Sequence, residues 1–285
     1  MPSPRIAIAT CAAYADLKVD DELLRVALEE RGCEAEPIVW DQLGAEWSRF
    51  DLCLVRSTWD YHEKHGAFLD WTRRMEAGAS LRNPAKLIAW NSDKSYLRGL
   101  EERGVRTVPT VWVGKDSRLD LERILAGTGW EEAVVKPVVD LGARNLERVR
   151  AGEGSSALES ILERHDAMVQ PFLPAVEERG ELSLIYIEGR LSHAVRKFPA
   201  PGDFRVQSIW GGTVSRDDPT GAEVELAEEV MALFKELPLY ARVDLVGGPG
   251  GEPCLIELEL IEPNLYLSEH PPAAEALAKA ALKLL

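Results

Sequence analysis

Residues 254–261 read Cys-Leu-Ile-Glu-Leu-Glu-Leu-Ile, an apolar strand pattern that is interrupted by Glu257 and Glu259. These two acidic residues are two positions apart, so they face the same side of an extended strand. A buried carboxylate is costly unless a cation lies opposite it. The pattern therefore predicts a strand that presents acidic side chains to a positively charged ligand.

Asp244 lies on the preceding apolar segment, and the glycine-rich residues 247–251 that follow it are typical of a hairpin turn. Such a hairpin would place Asp244 beside Glu257 and Glu259. Carboxylates are hard oxygen ligands of the kind that a divalent metal prefers. The sequence therefore predicts a metal site at Asp244, Glu257 and Glu259.

A second segment, Glu262-Pro263-Asn264, offers an alternative set of metal ligands. Pro263 disfavours continued strand pairing, and the hairpin spacing also favours the first set. We therefore expect Glu262 and Asn264 in a loop that contacts substrate, while their role as metal ligands stays open as the alternative.

A lysine ends the apolar segment 133–136, and Pro137 follows it. As a compact point charge at the end of a buried strand, Lys136 suits a phosphate group. The alternative interpretation is an edge lysine that protects a strand from further pairing.

The chain carries a formal net charge of −15, which argues against binding to nucleic acid or to an anionic membrane because both need a basic face. No apolar run approaches the roughly 20 residues of a membrane span. The four cysteines lack Cys-x-x-Cys spacing, and no signal peptide is evident. These features predict a protein of the reducing cytoplasm.

The first 80 residues alternate between strand and helix patterns, which is typical of an open parallel sheet with ligands beyond the carboxyl ends of its strands. Arg56 follows such a strand end, and we expect it to bind a substrate carboxylate. No Gly-x-Gly-x-x-Gly follows the first strand, which argues against a NAD-binding enzyme. The predicted elements are strands at 5–10, 35–39 and 51–55 and helices at 20–31 and 63–77.

The rest of the chain predicts a mixture of helices and antiparallel strands. Asn83-Pro84 breaks the earlier strand–helix alternation. After it we expect a helix at 93–103 that Ser92 caps. The further predictions are strands at 107–113, 133–136 and 168–172, a hairpin of 182–187 with 191–197, and helices at 155–164, 220–237 and 273–285.

The order and spacing of these parts resemble the ATP-grasp superfamily of carboxylate–amine ligases, most of all its glutathione-synthetase-like and D-alanine–D-alanine-ligase-like branch. The resemblance implies an ATP-grasp fold of class α/β and α+β, in which a parallel-sheet domain precedes two α+β subdomains that clasp ATP. The implied divisions are a pre-grasp domain at 1–85, linking helices and a small lid at 86–170, and a C-terminal subdomain with the metal site at 171–285.

The resemblance also implies an ATP site. Lys94 and Lys136 would contact phosphates, Glu181 would accept the ribose hydroxyls, and a flap at 138–145 would cover the phosphates. This flap has one glycine where the family has several, so Arg144 would supply charge that the backbone does not. The adenine-reading segment matches Gln170, Phe172 and Leu173.

Basic residues near the transferring phosphate match Arg205 and Lys197, although Arg205 could instead pair with Asp203. The usual Glu-x-Asn metal motif is replaced here by Glu257-Leu258-Glu259.

The implied reaction activates a small amino-acid or peptide carboxylate with ATP and Mg²⁺ (or Mn²⁺) as an acylphosphate, which an amine then attacks, releasing ADP and phosphate. The amine can belong to the same molecule or to another. Two alternatives remain, a non-catalytic ATP-binding module and a ligase that appends amino acids to a protein. The sequence leaves a homodimer open.

Overall fold

The structure is a computed structural model that describes residues 2–154 and 156–285. Within these residues the strands form one parallel and two antiparallel sheets. This mixture of classes is the one expected from the sequence. No helix in the described residues is long and apolar enough to cross a membrane.

The N-terminal sheet is parallel and has the strand order β2-β1-β3-β4. The expected alternation is present, and one short strand was missed by the sequence patterns. The elements are β1 Arg5–Thr10, α1 Val19–Glu29, β2 Glu34–Val39, β3 Leu52–Val55, α2 His65–Gly78 and β4 Ser80–Arg82.

Two short helices replace the single helix predicted at 93–103. They are α3 Ala85–Asn91 and α4 Tyr96–Glu101. Pro84, which was expected only to break the earlier pattern, begins α3 as its N-cap, because a residue at a helix start needs no N–H donor. Ser92 therefore follows α3 and does not cap the predicted helix.

The middle sheet is antiparallel, with the order β5-β8-β6-β7. The strand predicted at 107–113 is shorter because Pro109 cannot donate to a strand ladder. The predicted helix at 155–164 is also shorter, and its first residue, Ser155, lies outside the described residues. The elements are β5 Val111–Val113, α5 Leu121–Thr128, β6 Glu132–Pro137, β7 Glu147–Arg150, α6 Ala157–Leu162 and β8 Ala167–Pro171.

The C-terminal sheet is antiparallel, with the order β11-β10-β9-β12-β13. Both predicted hairpins are present, β9 with β10 and β12 with β13. The helix predicted at 220–237 ends early, at Ala232. The elements are α7 Ala175–Arg179, β9 Glu181–Ile187, β10 Arg190–Phe198, β11 Thr213–Arg216, α8 Gly221–Ala232, β12 Tyr240–Gly247, β13 Pro253–Glu259 and α9 Pro272–Leu282.

Buried polar side chains tie the N-terminal sheet to the C-terminal sheet. The amide nitrogen of Asn83 donates to the carbonyl oxygens of Tyr240 and Leu260, at 3.0 and 2.7 Å. The Tyr240 hydroxyl lies within 3.1 Å of the carbonyl oxygens of Val55 and Ile261. These contacts satisfy buried carbonyl groups and hold the end of β3 against the segment that follows β13.

His193 gives the fold a testable dependence on pH. Its Nε2 atom lies 3.0 Å from the carbonyl oxygen of Leu265, and burial, then the neighbouring His270, lower the pKa of His193 to about 4. The unfolded chain has the ordinary pKa of about 6.5, so it binds the proton first. This contribution to stability is complete above pH 6.5 and is lost as the pH falls towards 4.

The wild type should lose about 2 kcal/mol of stability through His193 between pH 7 and pH 4.5, and His193→Gln should not show this loss. Urea unfolding at both values measures the difference. His165→Gln, at an exposed position, is the control and should lose as much as the wild type. An unchanged pH dependence in His193→Gln would show that another group is responsible.

Candidate active site

A cavity of about 560 Å³ is lined by strands of the middle and C-terminal sheets and by the loops that follow β1 and β3 of the N-terminal sheet. The structure brings together every predicted site residue except Arg56. The predicted residues that line it are Lys94, Lys136, Arg144, Gln170, Phe172, Leu173, Glu181, Lys197, Arg205, Asp244, Glu257, Glu259, Glu262 and Asn264.

Three carboxylates cluster on one face of the β12–β13 hairpin. Asp244 pairs in register with Glu257, and oxygen atoms of Asp244, Glu257 and Glu259 lie within 4.8 Å of one another. The register shifts immediately after Asp244, which leaves Ile256 without a partner in a bulge beside the site. Glu262 and Asn264 line the same cavity but are outside this cluster.

Cationic side chains hold the cluster together. Arg242 donates to Asp244 at 2.8 Å and also pairs with Glu259, while the Lys197 ammonium lies 3.6 Å from Asp244. Burial acts to raise the pKa of Asp244, but Arg242 and then Lys197 outweigh it and lower this pKa to about 2. Asp244 is therefore ionised throughout the physiological range.

The two glutamates differ in their electrostatic surroundings. Although burial opposes ionisation of Glu257, the nearby Lys94 and Lys136 lower its pKa, and the Lys94 ammonium lies 3.0 Å from its carboxylate. Burial raises the pKa of Glu259 to about 7, with Arg242 opposing and Glu257 reinforcing the shift. A cluster with this much negative charge fits a divalent cation, which would favour the ionised form of all three carboxylates.

Lys136 differs from the other buried lysines of the cavity. It is 7% exposed, and the described residues place no carboxylate within 4.0 Å of its ammonium. Burial is the largest cause that lowers the pKa of Lys136, opposed by the more distant Glu257. An unpaired lysine in a cavity is an available partner for an anion such as phosphate.

Hydrogen bonds from two neighbouring elements hold the flap after β6. Lys94 donates to the carbonyl oxygen of Asp140 at 2.7 Å, and Trp210 donates to the carbonyl oxygen of Gly142 at 2.9 Å. Arg144 lies exposed at the rim of the cavity. Contacts from neighbouring elements therefore position the flap, which has only one glycine of its own.

The segment from β8 to α7 forms another wall. Gln170 donates to Thr110 at 2.9 Å, and the Arg148 guanidinium lies 3.4 Å from the centre of the Phe172 ring. The main-chain N–H of Phe172 donates to Glu132, whereas that of Leu173 has no acceptor in the part of the chain that the structure describes. A free main-chain donor in an apolar slot suits the edge of a planar base.

Glu181, Lys197 and Arg205 are all engaged in ion pairs. Lys197 pairs with Glu181 as well as approaching Asp244. Arg205 holds Asp203 through two nitrogens, at 2.6 and 3.0 Å, and stacks 3.6 Å from the Trp210 ring centre. The structure therefore shows the alternative pairing of Arg205, although this residue also lines the cavity.

Arg56 lies outside the cavity, contrary to its predicted place. It is 1% exposed, pairs with Asp21 at 2.9 Å and donates to the carbonyl oxygen of Pro263 at 2.7 Å. Asp21 of α1 holds this guanidinium, and Arg56 in turn supports the main chain of the 262–264 loop. Sequence spacing located the correct strand end but could not show which side chain from α1 would meet it.

Two families match the chain in succession. Residues 6–83 match the family described as the N-terminal domain of D-cycloserine synthetase DcsG. Residues 106–263 match the ATP-grasp domain of prokaryotic glutathione synthetase, which covers more than half of the chain. The chain belongs to the ATP-grasp family.

Relatives of this ATP-grasp protein cover both parts. The cycloserine biosynthesis protein DcsG of Streptomyces lavendulae is 30% identical over 289 residues, which cover 96% of this chain and 97% of that protein. A glutathione synthetase of Prochlorococcus marinus strain MIT 9313 is 30% identical over 173 residues, covering 59% of this chain and 53% of that enzyme.

Solved ATP-grasp structures agree with the architecture. The crystal structure of D-cycloserine synthetase DcsG superimposes with a TM-score of 0.88 at 29% identity, covering 99% of this chain and 100% of that one. The D-alanine–D-alanine ligase of Bacillus anthracis with ATP has a TM-score of 0.73 at 16% identity, covering 100% of this chain and 97% of that one, and supports the fold alone.

The ATP-grasp protein is an ATP-dependent ligase that forms a carbon–nitrogen bond between a small-molecule carboxylate and an amine, with ATP and Mg²⁺ or Mn²⁺ as cofactors. The predicted fold, reaction class and cofactors are confirmed. Sequence reasoning considered Arg242 as a partner of Asp244 alone and missed its pairing with Glu259, and it missed Trp210 as an anchor of the flap. The alternation of Arg242 with Asp244 on one strand face was the available signal for the first.

Proposed function

We propose that this ATP-grasp ligase activates the carboxylate of a small amino acid and closes a ring with a nitrogen of the same molecule. The observation that carries the proposal is the resemblance to D-cycloserine synthetase, which extends over both the N-terminal domain and the whole chain. Cycloserine is a cyclic derivative of an amino acid. The cavity of about 560 Å³, beside the flap that Lys94 and Trp210 hold, also favours small substrates.

The proposed nucleotide site uses the residues predicted for it. Lys136 and Lys94 hold phosphate oxygens, while the main-chain N–H of Leu173, beside Gln170 and Phe172, reads the adenine edge. Glu181 accepts the ribose hydroxyls, for which its pairing with Lys197 orients it. Arg144 neutralises phosphate charge from the rim of the flap.

The proposed metal ligands are Asp244, Glu257 and Glu259. A divalent cation held there would supply positive charge that stabilises the charge developing on the transferring phosphate. Arg242 and Lys197 fix the carboxylates in place before any ligand binds. Pre-positioned ligands lower the cost of organising the site.

In the proposed chemistry a carboxylate oxygen attacks the γ-phosphorus, and the bond to ADP breaks. A nitrogen of the same substrate then attacks the acyl carbon, phosphate leaves, and the nitrogen loses a proton. Arg205 and Lys197 stabilise charge on the transferring group, with Arg205 exchanging its contact to Asp203 for one to phosphate.

We also propose a domain division, a cell compartment and an assembly state for the protein. The described sheets support division into a pre-grasp domain at 1–85, a lid region at 86–170 and a metal-binding subdomain at 171–285. The four cysteines are buried free thiols, which supports a reducing cytoplasm. The net charge of −15 supports a protein without nucleic-acid or membrane partners, and we retain a homodimer as the proposed assembly to be tested by light scattering.

Lys136→Met tests the nucleotide site. We expect the Kd of Mg-ATP to rise about 30-fold, because a hydrogen-bonded charge contact is lost. The midpoint of thermal unfolding should not fall, because the variant no longer buries an unpaired ammonium. Lys115→Met, on the exposed surface of the lid, should leave ATP binding unchanged. Unchanged ATP affinity in Lys136→Met would remove Lys136 from the site.

The overall proposal is tested by measuring ADP release from ATP when the only other substrate is one amino acid that carries a second nitrogen. We expect turnover without any separate amine and a product lighter than its substrate by one water. ADP release that requires a second, amine-bearing molecule would contradict ring closure and leave an intermolecular ligase. Absence of turnover across a broad panel of D- and L-amino acids would contradict the proposed substrate class.

A further inference from the structure

Glu262 is a buried carboxyl group that no neighbouring side chain satisfies. It is 4% exposed and lines the cavity immediately beyond β13. Across residues 2–154 and 156–285, no side chain donates a hydrogen bond to it and no cation lies within ion-pair distance. A buried carboxyl in this condition is costly unless a ligand satisfies it.

The main chain around Glu262 is held firmly. Trp59 donates to the carbonyl oxygen of Glu262 at 2.9 Å, and Arg56 donates to that of Pro263 at 2.7 Å. Arg242 donates to the carbonyl oxygen of Asn264 at 3.2 Å. Donors from two domains therefore fix the loop, so the unsatisfied carboxyl is a built feature of the cavity wall and does not belong to a loose loop.

The other buried or half-buried acids of the cavity are each met by a cation or by a side-chain donor. Asp244 and Glu259 share Arg242, Glu257 has Lys94, and Glu181 has Lys197. Asp140 has no cation but accepts a hydrogen bond from Asn145 at 2.9 Å. Among the described residues, Glu262 is the buried acid of the cavity that has neither. Lys136 is the buried cation of the cavity without a carboxylate partner in the same described residues, and it is assigned above to ATP phosphate. The acid without a cation then calls for a cationic group on the other substrate.

Residues of the N-terminal domain surround Glu262 in the wall of the cavity. Trp59 and Tyr61 line the same wall, and the pKa of Tyr61 is raised by burial and then by Glu262. These residues come from the domain that matches the N-terminal domain of D-cycloserine synthetase. The nucleotide-facing residues Lys136 and Leu173 come from a different sheet and its exit.

We propose that Glu262 binds the α-ammonium group of the amino-acid substrate and so orients its carboxylate towards the metal site. This inference rests on the proposed function, and it specifies a zwitterionic substrate. The bound ammonium has no lone pair and cannot be the nucleophile. The nitrogen that closes the ring is therefore a second, neutral nitrogen of the same molecule.

The experiment compares Glu262→Gln, Glu262→Asp and the wild type on an amino acid found active in the ADP-release panel. We expect Glu262→Gln to raise the KM of the amino acid about 30-fold, with kcat and the KM of ATP within threefold of wild type. Glu262→Asp keeps the charge and should restore most of the affinity. Glu63→Gln, at an exposed position on the same cavity rim, is the matched control and should behave as wild type.

A substrate analogue without the α-amine supplies an independent arm that needs no variant. The wild type should prefer the amine-bearing substrate about 30-fold or more in kcat/KM, and Glu262→Gln should abolish that preference. A preference that persists in Glu262→Gln overturns the proposal. So does a fall in kcat with unchanged KM, which would assign Glu262 to proton removal from the nucleophile.

Failure of the proposed function is distinguishable from failure of this inference. Without any turnover in the wild type, the proposed function fails, but calorimetric binding of amino acids and their des-amino analogues still tests Glu262. Equal binding of the two ligands overturns the inference. If Glu262→Gln does not fold, the des-amino comparison in the wild type and the Glu262→Asp variant decide the question.

Discussion

We expect Glu257→Gln to lower kcat for ATP-dependent ligation about 10³-fold. Glutamine keeps the size of the side chain but removes a charged oxygen from the cluster with Asp244 and Glu259. It also leaves the Lys94 ammonium, now 3.0 Å from the Glu257 carboxylate, without its partner. The loss corresponds to about 4 kcal/mol of transition-state stabilisation, comparable to removal of one charge-stabilising group from other active sites.

Initial rates of ADP release over a range of Mg²⁺ concentrations measure this effect. The variant should also need more Mg²⁺ for half-maximal rate, because the remaining carboxylates bind the cation less tightly. Glu252→Gln, in the exposed turn of the same hairpin, controls for loss of acidic charge from β12–β13 and should leave kcat unchanged. A kcat within threefold of wild type in Glu257→Gln would remove this residue from the metal site.

Arg242→Met should lower the free energy of unfolding by about 3 to 5 kcal/mol. Arg242 is 7% exposed and pairs with both Asp244 and Glu259. Methionine fills similar space, but it leaves the buried Asp244 and the partly buried Glu259 with only Lys197 nearby. Removing one partner of a buried ion pair costs this much because the remaining charge is desolvated without compensation.

Urea unfolding of the metal-free protein measures the loss. Adding Mg²⁺ or Mn²⁺ should restore part of the stability and should stabilise Arg242→Met more than wild type, because the cation replaces the missing positive charge. Arg190→Met, at an exposed position on β10, should change the free energy by less than about 0.5 kcal/mol. A similarly small change in Arg242→Met would show that the carboxylates do not depend on this arginine.

The carboxylate cluster was predictable because two local rules act together. Alternation places Glu257 and Glu259 on one face, and the glycine-rich turn sets Asp244 opposite Glu257. The bulge at Ile256 was not predictable, because nothing in the residue types there requires an unpaired position. The apolar pattern alone predicted a strand from residue 107, whereas Pro109 limits β5 to Val111–Val113.

Tertiary contacts decided what the sequence could not. Asn83-Pro84 ends the strand–helix alternation of the N-terminal domain, but nothing in the local pattern shows that Pro84 also begins α3. Asn83 and Tyr240 join distant segments through buried hydrogen bonds, which no local pattern reveals. The pairing of Arg56 with Asp21 likewise depends on where α1 crosses the sheet edge, which the sequence could not show.

We propose that the substrate carboxylate receives the γ-phosphoryl group of ATP at the site formed by Lys136 and the acidic hairpin. The most direct measurement uses an active amino acid labelled with ¹⁸O in its carboxylate and follows the released phosphate by mass spectrometry. We predict that each phosphate carries one ¹⁸O atom from the carboxylate. Release of ADP together with unlabelled phosphate would contradict the account.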